Sequence, residues 1–177
     1  MHAWADDGAP VRLVQQAVPK DDPDPKALAC YGLLVRWVTA SGAAHEQTWL
    51  RFVEDRPISG LTIAFLAWSC HKLEALGKTA LLLVWDRASW HRSAQVRQWI
   101  THHNRQVKHR GLGVRIVACP LPRRSPWLNP IEPTWMHSKR CVAEADGLLT
   151  ARALAQRVCD DVGCAYEEHL TIPAKVS

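Results

Sequence analysis

Two carboxylates stand out by where they fall. Asp86 ends the apolar run Thr79-Ala80-Leu81-Leu82-Leu83-Val84-Trp85, and Glu132 lies within Leu128-Asn129-Pro130-Ile131-Glu132-Pro133-Thr134-Trp135. From Arg87 to Arg140 the chain carries eleven Lys or Arg, half of its 22, and Glu132 is the single acid there. Carboxylate oxygens are hard donors that suit Mg2+ or Mn2+. Two such ions stabilise the attacking and leaving oxygens of a phosphodiester exchange. The pair therefore points to a metal-dependent site that handles a polyanion. Each acid also has a plainer reading. Asp86 alone does no more than turn the chain. Glu132, three residues after Asn129, has capping-box spacing, and Pro130 and Pro133 fit a helix start. Their joint occurrence in a segment otherwise stripped of acid carries the argument.

The formal charge of +5 is modest, but its distribution is uneven. Residues 1–86 hold 8 basic against 10 acidic residues, and residues 141–177 hold 3 against 6. Basicity confined to one segment is the footprint of nucleic-acid binding, because phosphate neutralisation releases counterions. A solvated basic face is the competing reading. A length of 177 residues fits one domain, and 47% hydrophobic with 22% charged residues fits a folded, soluble one. No apolar run nears the ~18 residues of a membrane span, and no basic-then-apolar leader opens the chain. A cytoplasmic protein is expected. The cysteines at 30, 70, 119, 141, 159 and 164 form no C-x-x-C pair, so buried thiols are expected rather than a metal cluster.

Certain elements must position the two acids. Val11 to Ala17, Ala27 to Ala40 and His45 to Phe52 read as three antiparallel strands, with turns at Pro19 to Pro25 and at Ser41-Gly42. Pro57 to Gly77 reads as a helix. Thr79 to Trp85 is apolar throughout, as in a central strand covered by helices on both faces. Ser93 caps a helix to about His109, with Val96, Trp99, Ile100, His103 and Val107 on one stripe. His103 is expected in the core. Val114 to Cys119 is a second short strand, and Pro120 to Pro126 a rigid basic loop with Arg123-Arg124. Helices follow from Asn129 to about Val142 and from Ala151 to about Glu168.

Three stretches carry a family resemblance: Leu83-Val84-Trp85-Asp86-Arg87-Ala88-Ser89-Trp90-His91, the run from Cys119 to Trp135 with Pro122-Arg123-Arg124-Ser125-Pro126-Trp127-Leu128-Asn129-Pro130-Ile131-Glu132, and Lys139-Arg140. Together they resemble the bacterial insertion-sequence DDE transposases related to the eukaryotic mariner elements. The second half of the chain matches strongly. The first half matches loosely, through His2-Ala3-Trp4 and Gly8. The resemblance implies a ribonuclease H-like α/β fold, a mixed five-stranded sheet flanked by helices. It also implies three acids holding two Mg2+ or Mn2+ ions for DNA strand cleavage and joining. Asp86 would be the second acid and Glu132 the third, both catalytic and metal-binding. Arg87, His91, Arg123, Arg124, Lys139 and Arg140 would contact DNA, both element ends and target, in a homodimer or larger complex. Two departures matter. Arg87 stands where the family usually has Asn. The family's first aspartate ends a strand that would fall before Met1, since Asp6 and Asp7 look like turn residues. The family's N-terminal helix-turn-helix region finds no match either. An N-terminally incomplete catalytic domain, from a truncated or split reading frame, is therefore expected. The alternatives are a non-catalytic DNA-binding remnant and a nuclease-fold subunit that takes its missing strand from a partner.

Overall fold

The computed structural model describes residues 3–4, 10–11, 28–39, 41–53, 57–143 and 149–171. Strands β1 (Ala3–Trp4) and β2 (Pro10–Val11) pair antiparallel. Of the strand expected from Val11 to Ala17, only Val11 is described, and the expected turn from Pro19 to Pro25 lies outside the described residues. Strands β3 (Ala29–Val38) and β4 (Ala44–Val53) form an antiparallel hairpin in register from Ala29↔Val53 to Val38↔Ala44. Its turn needs a left-handed residue, and Gly42 supplies it at φ 84°. The Thr39 N–H donates to the Ala43 carbonyl at 2.9 Å and closes the loop.

Alternation along this hairpin decides what packs on each face. Val35 and Trp49 face the first layer of helices, and Leu50 and Phe52 face the opposite side. The first layer is α1 (Ser59–Ala75) and α2 (Ala94–Arg110). The Tyr31 hydroxyl, 3.1 Å from both the Ile58 carbonyl and Thr62 Oγ1, fastens β3 to the start of α1. On the far face, α4 (Ala151–Val162) brings Ala155 and Cys159 against Leu50 and Phe52, and Trp135 of α3 (Glu132–Ala143) joins them. Ser138 donates to Asp161 Oδ2 at 2.6 Å and ties α3 to α4.

Strands β5 (Ala80–Trp85) and β6 (Arg115–Pro120) run parallel, with α2 as the crossover that a parallel pair requires. Leu81, Leu83, Val96, Val114 and Ile116 share one core with Val35, Trp49, Leu66 and Leu73, so both strand pairs rest on the same helices. The Asn104 amide both donates to and accepts from the Ile116 backbone at 2.8 Å, which fixes α2 over β6. His103 is half-buried, stacked on Trp99, with Nε2 2.8 Å from the Val114 carbonyl.

The described strands form three separate pairs, so the expected single five-stranded sheet is not seen among the described residues. Other expectations need correction. Among the described residues β5 is covered on one face: Leu82 is 65% and Val84 42% exposed, because α3 and α4 cover the hairpin's far face but not that of β5. The last helix stops at Val162, not near Glu168. Gly163 takes φ 72°, and the Cys164 N–H turns back to the Cys159 carbonyl at 2.9 Å. Cys70 and Cys159 are buried, and burial pushes both thiols up to about 12. Cys119, at the open end of β6, is exposed instead. No helix among the described residues is long and apolar enough to cross a membrane.

Candidate active site

Asp86 directly follows β5, at the carboxyl end of the strand. Its Oδ1 accepts the Ala88 N–H at 2.8 Å, a side-chain-closed turn. The His91 and Arg92 N–H groups both reach the Ala88 carbonyl at 3.1 Å, and this second turn carries His91 back to the strand end. His91 Nδ1 lies 2.7 Å from Asp86 Oδ1. The imidazole stacks on Trp85 (centroids 4.9 Å apart, planes 11° apart) and meets Trp90 edge-on at 5.9 Å. The hydrogen bond to His91 holds the Asp86 carboxyl below the usual carboxylate range. Partial burial opposes it, and the Ala88 N–H adds to the lowering.

This contact has a measurable consequence. A depressed carboxyl pKa means that ionised Asp86 favours the fold above the ordinary carboxylate range, a contribution lost as pH falls through the folded value. His91→Ala is expected to raise the Asp86 midpoint toward ~3.9, the value of an unperturbed aspartate. Carboxyl 13C titration by NMR reads it. A midpoint that stays put would show that His91 does not govern Asp86.

Glu132 opens α3. Its N–H donates to the Asn129 backbone carbonyl at 3.1 Å, and the Asn129 side-chain amide sits 3.5 Å from Glu132 Oε1. The Asn129 side chain thus contacts the carboxylate and leaves the helix amide to the backbone, unlike a capping box. Glu132 is aimed by what seats α3: Ile131 and Trp135 lie against Gly32 of β3, and Ser138 anchors the next turn to α4. Asp86 and Glu132 line one cavity of about 650 Å³, together with Trp90, His91 and Asn129.

The basic candidates lie elsewhere. Arg87, Arg123, Arg124 and Lys139 are exposed and do not line this cavity, and the Arg140 side chain lies outside the described residues. Arg124 takes a left-handed φ of 55° in the loop after β6, which turns the chain toward the 3-10 turn Pro126–Leu128. His91, grouped by sequence with the DNA contacts, has its Nδ1 committed to Asp86. Sequence reasoning missed Trp90 and Asn129 as cavity residues, although Asn129 at three residues before Glu132 was a usable signal. Trp127, 75% exposed beside the basic loop, was also passed over.

Two carboxylates at a strand end are the right chemical type of donor for a hard divalent ion. They are too few for two. Among the described residues no three His, Cys, Asp or Glu side chains come together to hold a metal. The donor set fits part of a metal site, not the whole of one.

Residues 12–154 match the family model described as DDE superfamily endonuclease. No curated protein and no solved structure matches the chain.

Proposed function

We propose that this chain, which belongs to the DDE superfamily endonucleases, is the catalytic domain of a transposase that cuts and joins DNA strands. The branch we favour is the mariner-related one found in bacterial insertion sequences. The observation that carries the reading is the placement of Asp86 and Glu132 on one cavity at the carboxyl end of β5. In open α/β sheets, ligands bind at that end of the strands.

Membership implies DNA as the substrate, and nucleases of this superfamily typically use divalent metals. In our reading Asp86 and Glu132 hold Mg2+ or Mn2+, which when bound supplies charge stabilisation to the scissile phosphodiester. His91 keeps Asp86 ionised and oriented, and Asn129 contacts Glu132. The fold would be ribonuclease H-like, with a third acid from outside the described residues. The active form would be a homodimer or larger complex on element ends and target. Work on bacterial DNA would place it at the nucleoid. Without that third acid the chain is a DNA-binding unit only, a second reading supported by the absence of a three-ligand cluster among the described residues.

Arg123, Arg124, Lys139 and Arg140 supply sequence-independent affinity for phosphates in either case. Replacing all four with Ala is expected to weaken duplex binding. It should also flatten the plot of log affinity against log salt by about 0.9 for each phosphate that is no longer neutralised, or ~3 to 4 overall. Fluorescence anisotropy across a salt series reads both. A slope equal to that of the native chain would show that these four residues are only a solvated surface and would remove the DNA reading's main electrostatic support.

A further inference from the structure

The crossover helix α2 carries charge of one sign. Its 17 residues include Arg97, Arg105, Lys108 and Arg110, with His102, His103 and His109, and no acid. Val96, Ile100, His103 and Val107 lie on the inner side, buried or half-buried. At about 100° per residue, Arg97, Thr101, Arg105 and Lys108 fall on the opposite side. Gln98 and His102 flank them, and all six are exposed among the described residues. None of the ion pairs among the described residues engages Arg97, Arg105 or Lys108.

Helix electrostatics account for part of this face only. Lys108, His109 and Arg110 lie in the last turn, where cations favour the negative end of the helix dipole. Arg97 lies one turn after the Ser93 cap, at the wrong end for that interaction. A solvated helix face gains from opposite charges three or four residues apart, and like charges at that spacing repel. Arg105 and Lys108 are three apart, and no acid on α2 separates or offsets them. A face without internal countercharge is complementary to an external polyanion.

The geometry suits a run of phosphates. Arg97, Gln98, His102 and Arg105 line an open depression of about 420 Å³. The Thr101 hydroxyl there donates to the Arg97 carbonyl at 3.0 Å, so guanidinium, amide and imidazole groups are the donors that face outward. From Arg97 to Lys108 the helix rises about 16 Å, the rise of about five base pairs. Direction also matters. Ser93 caps α2 shortly after the Asp86 turn, and the helix then runs back to the start of β6, where Asn104 meets Ile116. The face therefore starts beside the site and leads away from it. It lies in the layer of α1, across the hairpin from α3 and Lys139.

We propose that the outer face of α2 is a track for duplex DNA, separate from Arg123, Arg124, Lys139 and Arg140, that leads the double helix away from the cavity of Asp86 and Glu132. Resting on the transposase reading, this assignment adds to it the path that the duplex takes.

The test combines Arg97→Ala, Arg105→Ala and Lys108→Ala in one chain. Fluorescence anisotropy with a duplex of about 15 base pairs, across a salt series, should show affinity lowered about tenfold or more. The plot of log affinity against log salt should flatten by about 0.9 for each phosphate no longer neutralised, ~2 to 3 overall. A chain with Arg97→Lys, Arg105→Lys and Lys108→Arg keeps the charge and should keep the slope. In the native chain the same duplex should shift the amide resonances of Gln98, Thr101, His102 and Arg105. Alanine favours helix, so the triple variant should keep its α2 amides protected from exchange. If it does not, the resonance shifts of the native chain decide alone. Four results overturn the proposal: a slope equal to that of the native chain, equal loss in the charge-preserving variant, unmoved resonances at saturating duplex, or shifts given by phosphatidylglycerol vesicles but not by the duplex. If replacing Arg123, Arg124, Lys139 and Arg140 flattens the slope and the α2 variant does not, the track falls and the DNA reading stands. If neither flattens it, both fall.

Discussion

Residues 1–177 alone are expected to leave supercoiled DNA uncut in Mn2+, and the same residues joined to a strand that ends in aspartate are expected to nick it. This follows from charge. Two divalent ions about 3.5–4 Å apart repel one another strongly, and carboxylates must offset that repulsion. Asp86 and Glu132 provide two such groups, and among the described residues no third carboxylate lines their cavity. In the extended chain, Asp86→Ala should reduce nicking at least a hundredfold, about 2.7 kcal/mol of transition-state stabilisation at 1.36 kcal/mol per tenfold. Robust nicking by residues 1–177 that vanishes with Asp86→Ala would contradict the shortage of acid. Asp6 and Asp7, which lie outside the described residues, would then be the first candidates for the third group.

Gly32→Ala is expected to destabilise the fold, against the usual sign for removing a glycine from a strand. Replacing Gly by Ala at an unstrained position generally stabilises by roughly 0.4–1 kcal/mol, through a less flexible unfolded chain. Here a Cβ would fall 2.3 Å from Cζ2 and 2.7 Å from Cη2 of Trp135, and 3.0 Å from Ile131 Cδ1. These are ring atoms of a large, half-buried side chain, so either the Trp135 ring or α3 with it has to shift. Overpacking of this kind costs about 1–3 kcal/mol, which outweighs the entropic gain. Because Glu132 begins the same helix, any shift of α3 also moves the carboxylate. Urea denaturation should show a lower midpoint at unchanged slope. Trp135→Leu made in the same chain should recover part of the loss as a non-additive coupling. A midpoint equal to or above that of the native chain would show that α3 does not press on Gly32.

The elements were legible wherever a periodic apolar pattern met a clear stop. The helix ended by Gly77, the hairpin turned at Ser41-Gly42 and the helix capped by Ser93 all follow from local chemistry, and Ser93 does accept the Val96 N–H at 3.2 Å. The overlong last helix came from reading on through Gly163 on the strength of Tyr166. That ring packs instead with the far-face cluster from beyond the helix end. The run Thr79 to Trp85 misled for a different reason. Uniform apolarity records a surface meant to be covered but not what covers it, and in this structure the outward side chains Leu82 and Val84 are bare. At the site, the types and spacing of Asp86 and Glu132 were visible in the sequence. The grip of His91 on Asp86 was not, because it depends on two successive turns through Ala88.

The most direct measurement is a Mn2+ titration of the chain followed by paramagnetic broadening of its amide resonances. If Asp86 and Glu132 share one site, the amides of residues 86–91 and of 129–133 broaden together, at the same metal concentration, and Asp86→Ala abolishes both effects. Broadening confined to one of the two segments, or left intact by Asp86→Ala, would contradict a shared metal site.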